Sequence, residues 1–260
     1  MSLKISSSSA EVNMFLNGVA FGANAPVIIP QVIDQNTVLL LHCDGINGST
    51  VFPDSALAGG APHSILPSGS TQVSTAQSKF GSASALFNGT TDYMSIADSP
   101  SWTLGSNDFT IEIQVRFNTL ANNQYFITQR TSDGSNRAWG LARQNPNKLV
   151  FNYSTSAGIS WTDEHIVNWS PATGVWYHIA ACRDGANLRI FVDGVQIGVT
   201  YNASTDTIID VTEMVSIGRN AHSGGSEYFD GYMDEIRVSN GKAWYTTNFT
   251  PPSAPFTPYI

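Results

Sequence analysis

The chain is poor in charge, because its 260 residues include only 12 Lys and Arg and 20 Asp and Glu. Charged residues make up 12% of the sequence, about half of the roughly 25% that is usual in soluble domains. Since Lys, Arg and Glu are good formers of helix surfaces, their scarcity argues against coiled coils, helical bundles and βαβ enzymes. The hydrophobic content of 42% argues against disorder, because it can supply a sizeable core.

Other missing features exclude further classes of protein. The lysines, which are few, lie far apart and the net charge is −8, so we expect no nucleic-acid partner bound through phosphates. No apolar stretch approaches the roughly 20 residues that cross a membrane, so we expect no membrane span. The N-terminus has no long apolar region and no cleavage pattern, so we expect no signal peptide.

Cysteine is also scarce, and the only two, Cys43 and Cys182, are too few for a disulfide framework. Each lies in an apolar, strand-like run, so we expect two buried free thiols. A disulfide between them stays open at this stage, since it depends on a distance that the sequence does not supply.

Gly, Asn, Ser, Thr and aromatic residues are abundant, and they favour strands and turns. The clearest strand is Phe109–Phe117, where strict alternation of apolar and polar residues predicts a half-buried antiparallel strand. Asp-Gly turns separate the apolar runs 175–182, 187–192 and 195–197, which predicts a meander. Further strands are predicted at residues 37–43, 83–87, 93–96, 125–129, 138–143, 148–153, 214–218 and 231–238. This pattern, with no convincing helix beyond a turn near residues 99–104, predicts an all-β sandwich of two antiparallel sheets.

The two ends of the chain differ from the part between them. Residues 1–36 combine a Ser run, a short apolar patch and a stretch flanked by Pro26 and Pro30, which disfavour helix. We therefore predict an extended N-terminal arm. Residues 252–260 are predicted to form a Pro-rich extended tail, which cannot join the centre of a sheet. The domain itself is expected at residues 37–251.

Several segments, taken in chain order, resemble one family. They are Leu41–Gly45 (LHCDG), Phe80–Thr90 (FGSASALFNGT), Asp108–Phe117 (DFTIEIQVRF), Trp176–Ala180 (WYHIA), Leu188–Gly194 (LRIFVDG) and Phe229–Val238 (FDGYMDEIRV). In this order they are similar to the laminin G-like, concanavalin A-like jelly-roll family, and most of all to the variant common in bacteriophage virion proteins. In that variant a segment like Ser239–Pro251 often follows the last strand. The resemblance implies a concanavalin A-like jelly-roll β-sandwich over residues 37–251, and it does not extend to residues 1–36.

Two acids raise the question of a metal site. Side chains along a strand alternate between its two faces, so Asp234 is predicted to share a face with Ile236 and Val238. We therefore expect a partly buried carboxylate, which needs a cation, hydrogen-bond donors or a raised pKa. Asp44 ends another apolar strand. Calcium takes about 6–8 oxygen ligands, and in the resembling family it is often held by carboxylates of the first and last strands. The resemblance thus implies calcium at Asp44, Asp234 and the turn at Asn88; the alternative is that the two acids bind a turn and backbone amides.

Four aromatic residues lie in or near loops between the central strands: Trp139, Tyr153, Trp161 and Trp169. Flat apolar rings with polar rims suit sugars, so these are candidates for a glycan platform, with packing in the core as the alternative. Related jelly-roll glycosidases carry Glu-x-Asp-x-x-Glu on one strand, whereas the comparable strand here offers only Glu112. Since a retaining mechanism needs two carboxyl groups about 5–5.5 Å apart, we expect no catalytic residues and no enzymatic activity.

Together these expectations describe a non-enzymatic phage virion structural protein. Residues 1–36 would dock onto other virion proteins of the capsid or tail, while the lectin-like domain decorates or stabilises the particle or binds host-surface glycans. The expected location is the virion surface, on an extracellular particle that is made in the host cytoplasm. Symmetric sites on a virion favour a homo-oligomer. The alternative is a soluble carbohydrate-binding or carbohydrate-cleaving protein.

Overall fold

The structure, a computed structural model, describes residues 34–131, 135–158, 160–220 and 227–258, and strands within residues 4–20. The chain divides into two compact units, Met1–Val32 and Ile33–Ile260. The first unit contains a small antiparallel sheet of strands β1 (Lys4–Ser8), β2 (Glu11–Leu16) and β3 (Val19–Ala20). The N-terminal arm therefore includes a folded sheet, and the remainder of residues 1–33 lies outside the described part. Docking by residues 1–36 stays a prediction.

The described residues of the second unit form a β structure with one short 3₁₀ turn at Pro100–Trp102, within the turn predicted near residues 99–104. None of them forms a helix long and apolar enough to cross a membrane. The strands are, in chain order, β4 (Thr37–Leu41), β5 (Ile65–Ser68), β6 (Gln72–Ser74), β7 (Ser84–Asn88), β8 (Tyr93–Ile96), β9 (Phe109–Phe117), β10 (Gln124–Arg130), β11 (Arg137–Gln144), β12 (Lys148–Tyr153), β13 (Asp163–Asn168), β14 (Trp176–Asp184), β15 (Asn187–Val192), β16 (Val195–Asn202), β17 (Val215–Ile217) and β18 (Asp230–Asn240).

These strands form two antiparallel sheets that enclose one core. The seven-stranded sheet has the order β13-β12-β11-β10-β17-β8-β5. The eight-stranded sheet has the order β16-β15-β14-β9-β18-β7-β6, with β4 also paired to β18. Apolar side chains of both sheets meet in a single large cluster that includes Phe87, Phe117, Phe126 and Phe229. The predicted all-β sandwich and the β14–β15–β16 meander are confirmed.

Strand β18 lies at the centre of its sheet and carries a bulge that changes which side chains face the core. Asp234 pairs with Gln114 of β9, but the next pair joins Arg237 to Glu112, so β18 has one extra residue there. Glu235, at the bulge, has a φ of +47°. As a result Met233 faces the core together with Ile236 and Val238, whereas Asp234 points away from the core. The prediction that Asp234 shares a face with Ile236 and Val238 is therefore wrong, because the bulge breaks the period of two.

The prediction that β9 is half buried is also wrong. Glu112 and Gln114 are 0% exposed although they face away from the core. The reason is the C-terminal segment, residues 241–258, which lies against this face of the eight-stranded sheet. Tyr245 and Phe249 stack with ring centroids 3.5 Å apart and pack on a second cluster of buried residues, which is Ala180, Cys182 and Phe191. The Pro-rich end of the chain thus covers a sheet face without adding a strand to it.

The two cysteines are buried and free, as expected. Cys43 lies in the main core, and Cys182 lies under the C-terminal segment. Burial raises the pKa of the Cys182 thiol to about 12, so both its position and its protonation keep it unreactive at neutral pH.

Candidate functional site

Asp44, one of the predicted calcium ligands, binds backbone amides of a turn. Its Oδ1 atom accepts hydrogen bonds from the N–H groups of Ser82 and Ala83 at 2.7 and 3.0 Å, and from the Ser82 hydroxyl at 3.2 Å. Gly81 has a φ of +58°, and a Cβ at this position would overlap the Asp44 carboxylate. The turn can therefore close around Asp44 only because residue 81 is glycine.

Asp234 binds the preceding residues of the same turn. Its Oδ2 atom accepts hydrogen bonds from the N–H groups of Lys79 and Phe80 at 2.8 and 3.1 Å, and Oδ1 accepts one from Glu235 N–H at 2.9 Å. Burial raises the pKa of Asp234 to about 7, while the amide donors favour the charged carboxylate and oppose that shift. The expected burial of Asp234 is confirmed, and N–H donors satisfy its oxygen atoms.

Asn88, the third predicted calcium ligand, lies away from the two acids. It pairs with Asp230, four residues before Asp234 on β18, which is about 13 Å along a strand at roughly 3.3 Å per residue. Its Oδ1 atom accepts hydrogen bonds from the N–H groups of Thr90 and Thr91, both at 2.9 Å. A calcium ion needs several oxygen atoms that face one point. This set of residues does not fit such an ion, and the described part of the chain contains no other group of His, Cys, Asp and Glu that could hold a metal.

The predicted glycan-platform aromatics separate into buried rings and one half-exposed ring. Trp139 and Tyr153 are cross-strand partners in the core, 0% and 1% exposed. Trp169 is 9% exposed, with its ring centroid 5.8 Å from that of Phe117. These buried rings have no open face for a sugar in this conformation. Trp161 is the one half-buried ring of the set, and its role in binding glycan stays a prediction.

Glu112, the acid on the glycosidase-like strand, is enclosed by the C-terminal segment. Its Oε1 atom accepts a hydrogen bond from Arg237 Nε at 2.6 Å. Its Oε2 atom accepts one from the Tyr245 hydroxyl at 2.9 Å and lies 2.9 Å from His178 Nε2. Burial opposes the charge, but Arg237 and His178 hold the pKa of the Glu112 carboxyl below its ordinary value. A carboxylate with both oxygens engaged and no exposed surface cannot reach a substrate.

The outer face of the seven-stranded sheet carries a different set of polar side chains. Successive residues of a strand point to opposite faces, so the neighbours of the core residues Leu141 and Phe151 point away from the core. Residues directly opposite each other on neighbouring strands share a face, which brings Arg130 beside Arg137. We call this surface the arginine face, and its members are Tyr125, Arg130, Arg137, Asn152, Trp161 and Ser216.

Tyr125 lies on this face, with its ring over Gly140, which has no side chain. A Cβ added at Gly140 would lie 3.1 Å from Tyr125 Cε1, closer than an ordinary contact, so glycine makes room for the ring. The Tyr125 hydroxyl lies 3.5 Å from Asn152 Nδ2. Burial and the Glu227 carboxylate raise the pKa of Tyr125 to about 12. The hydroxyl is therefore protonated at neutral pH and can donate a hydrogen bond.

Arg130, which is 2% exposed, is held by Asn220, which follows β17 in the chain. Its Nη1 atom donates to Asn220 Oδ1 at 2.6 Å, and the Asn220 amide in turn donates to the Glu227 carboxylate. Among the described residues, Arg130 Nε and Nη2 have no hydrogen-bond partner. Burial and the neighbouring charge of Arg137 lower the pKa of Arg130 from its ordinary value. The guanidinium thus combines buried donors that have no partner among the described residues with a like charge beside it.

Trp161 and a cavity lie near the same end of the sheet. The Trp161 ring centroid is 5.5 Å from Arg137 Cζ, within cation–π range. A cavity of about 350 Å³ is lined by loop residues, among them Thr131 and Asn136, which adjoin the two arginines in the chain. Small-molecule sites typically have volumes of about 300–1,000 Å³. The Trp161 ring and the Arg137 guanidinium offer a polar ligand an aromatic surface and a charged donor.

A profile of the concanavalin A-like lectin/glucanases superfamily matches residues 88–243, more than half of the chain. The chain belongs to this superfamily. The predicted laminin G-like, concanavalin A-like resemblance is confirmed. No curated protein sequence matches the chain.

Solved structures of similar fold include two kinds of domain. Domain 4 of AbnA, a GH43 extracellular arabinanase from Geobacillus stearothermophilus in complex with arabinotriose, has a TM-score of 0.57 and 16% identity, over 80% of this chain and 94% of that one. The binding domain of botulinum neurotoxin DC in complex with SialylT has a TM-score of 0.55 and 12% identity, over 81% and 49%. Botulinum neurotoxin type C, which depends on interaction with two ganglioside molecules to enter cells, has a TM-score of 0.56 and 13% identity, over 81% and 49%.

At these identities the likeness shows the fold alone. The chain spans most of the arabinanase domain and about half the length of the neurotoxin chains.

For this concanavalin A-like chain, sequence patterns did not indicate the arginine face. Arg130 and Arg137 lie one residue beyond the predicted strands 125–129 and 138–143, so neither was assigned to a sheet. Extending each strand by one residue would have assigned both arginines to strands, but their pairing also needs the register shift between Gln129 and Arg130, which no local pattern predicts. The aromatic signal instead pointed to Trp139 and Tyr153, because a large ring near a strand end has the same pattern whether it faces the core or solvent.

Proposed function

We propose that this chain binds carbohydrate at the arginine face and does not cleave it. The observation that carries the proposal is a half-buried Trp161 over Arg137, on a sheet face whose buried polar atoms include Arg130 Nε and Asn152 Oδ1, which have no partner among the described residues. A buried polar group without a partner costs about 1–3 kcal/mol, which a sugar hydroxyl or similar group would offset. Membership of a lectin/glucanase superfamily supports carbohydrate as the ligand class, as do the arabinotriose and ganglioside partners of the similar structures.

The non-enzymatic part of the proposal is supported by how the acids are used. Glu112, on the strand that resembles the glycosidase strand, lies in the other sheet and is enclosed. On the arginine face, Glu227 accepts hydrogen bonds from the Asn123 and Asn220 amides, and Glu164 accepts one from Asn152 at 3.2 Å. Turnover of a bound glycan in a reducing-sugar assay, abolished by Glu164→Gln, would contradict this part and favour a carbohydrate-cleaving protein.

The binding test uses the full chain on a glycan array, followed by calorimetry with the best ligand. Trp161→Ala removes the stacking surface, and we expect binding at least about tenfold weaker. Trp176→Ala is the matched control, because Trp176 is also half-buried but lies in the eight-stranded sheet. Equal loss in both variants, or no binding to any glycan on the array, would contradict the proposal.

For the biological setting we propose the surface of a phage virion, with residues 1–36 docked to other virion proteins and the chain present as a homo-oligomer. The support is the resemblance of the segment Ser239–Pro251 to virion proteins, and the division of the chain into two units after Val32. Deleting residues 1–32 should abolish incorporation into particles while the second unit stays folded by circular dichroism. Unchanged incorporation would contradict docking by the first unit, and a full-length chain found only free in solution would favour a soluble lectin.

A further inference from the structure

The cavity of about 350 Å³ lies at the end of the sandwich where β10 turns into β11. Its floor is apolar, because Val211 belongs to the main core cluster and Ile209 packs against that cluster. Its rim is polar and is formed by exposed loop residues, which include Asp210 and Thr212. A concave surface that joins an apolar floor to a few polar groups is the usual form of a small-molecule site.

Hydrogen bonds hold the loops around this cavity in place. The N–H group of Ile209 donates to the Ser154 carbonyl at 2.8 Å, which ties the floor to the end of β12. In the β10–β11 hairpin, Thr131 N–H donates to the Asn136 carbonyl at 2.9 Å, and Asn136 N–H donates to the Thr131 hydroxyl at 2.9 Å. The walls are therefore fixed before any ligand arrives, which reduces the ordering cost of binding.

Asp210 is the one charged residue among the described residues that line the cavity, and neither Arg130 nor Arg137 is among them. Its Oδ1 atom accepts a hydrogen bond from the Thr103 hydroxyl at 3.0 Å, which orients the carboxylate, and no described residue donates to Oδ2. A carboxylate accepts hydrogen bonds and donates none, so it selects a ligand with hydrogen-bond donors and disfavours an anion. The lining thus favours a neutral polyhydroxylated ligand over an acidic one.

We propose that this cavity is a second saccharide subsite, which takes one neutral sugar unit with its hydroxyl groups on Asp210 and its C–H face on the apolar floor of Ile209 and Val211. The inference rests on the proposed function for the choice of carbohydrate. It adds the class of sugar, which is neutral, and a binding position separate from Trp161. The two positions differ in chemistry, because Trp161 offers a ring for stacking whereas Asp210 requires hydroxyl donors.

The experiment measures affinity by calorimetry for four probes on the full chain. Three are neutral, which are arabinotriose, cellotriose and maltotriose, and the fourth, trigalacturonate, is acidic. We expect at least one neutral probe to bind, and the tightest of them to bind at least about tenfold more tightly than trigalacturonate. The expected preference follows from the repulsion between the Asp210 carboxylate and a carboxylate on the sugar.

Two variants alter the cavity, and each has a matched control. Asp210→Asn removes the charge at constant size, and its control is Asp184→Asn, which does the same at a half-exposed acid of the eight-stranded sheet. Ala157→Leu narrows the cavity, and its control is Ala121→Leu, at an exposed alanine before the other end of β10. We expect Asp210→Asn to weaken the tightest neutral probe about tenfold, Ala157→Leu to weaken it as well, and both controls to bind as the wild type does. Urea denaturation checks that all four variants are folded.

The outcomes separate the subsite from the arginine face. Loss of affinity in both cavity variants and in Trp161→Ala would support both positions. Loss in Trp161→Ala alone would overturn the subsite and leave the proposed function in place, and so would tighter binding of trigalacturonate than of every neutral probe. Loss in the cavity variants alone would support the subsite and contradict binding at the arginine face. Failure of the three neutral probes while other array glycans bind would overturn the subsite, and failure of every glycan would remove the proposed function together with it.

Discussion

The buried carboxylate of Glu112 should stabilise the second unit far more than an exposed ion pair does. Glu112→Gln removes the charge while keeping the size of the side chain, and it leaves Arg237 buried without an anionic partner. Breaking a buried pair in this way costs about 3–5 kcal/mol. With a urea m value of about 2–3 kcal/mol/M, the unfolding midpoint should fall by about 1–2.5 M.

The control is the pair formed by Arg189 and Asp184, whose charged atoms are 3.9 Å apart and whose Asp184 side chain is 44% exposed. Exposed pairs contribute about 0–1 kcal/mol, so Asp184→Asn should barely move the midpoint. Urea denaturation followed by intrinsic fluorescence measures both variants. If Glu112→Gln costs no more than Asp184→Asn, the reasoning about the enclosed network is refuted.

The pH dependence of stability tests the contribution of the Glu112 carboxylate independently. The pKa of Glu112 is lower in the folded protein than its ordinary value of 4.5, because Arg237 and His178 outweigh the effect of burial. The folded protein then binds fewer protons than the unfolded chain between the folded pKa and 4.5, so stability rises with pH across that window. The contribution is present above about pH 4.5 and is lost as the pH falls through the folded pKa. Glu112→Gln should therefore show a shallower acid loss of stability than the wild type.

Three further results are expected. A chelator should leave the melting temperature unchanged, because amide N–H groups satisfy the predicted calcium ligands; a clear drop restored by calcium would contradict this account. The hydrogen bond to Glu235 raises the pKa of His42 above 6.5, so its stabilisation should be complete below about pH 6.5 and lost as the pH rises through the folded pKa. Urea midpoints from pH 5 to 9 should show that loss in the wild type and not in His42→Gln. Ending the chain after Asn240 should expose the Cys182 thiol to a thiol reagent while Cys43 stays unreactive; an unreactive Cys182 would mean that other residues cover it.

The strands could be predicted because their signals are local. Alternation defined β9, and Asp-Gly turns defined the β14–β15–β16 meander, with limits close to those observed. Strand β13 was missed because its sequence, DEHIVN, is polar, although His165 and Val167 alternate inward in it. Local patterning identifies a strand but says little about what covers its outer face.

The remaining features depend on contacts between distant residues. The burial of Glu112 requires Tyr245, which lies 133 positions away in sequence, and no local pattern connects the two. The face on which Asp234 lies depends on a bulge, and one inserted residue exchanges the faces of the residues before it. The arginine face depends on the register of β10 against β11, which is set by the whole sheet.

The most direct test of the central claim follows the indole N–H signals of the six tryptophans by NMR while the best array glycan is added. Each signal is assigned by replacing one Trp at a time. Binding at the arginine face predicts that the Trp161 signal shifts in a saturable way, while those of Trp139 in the core and Trp244 in the C-terminal segment move little. A saturable shift confined to Trp244, with Trp161 unchanged, would place the ligand on the other sheet and contradict the account.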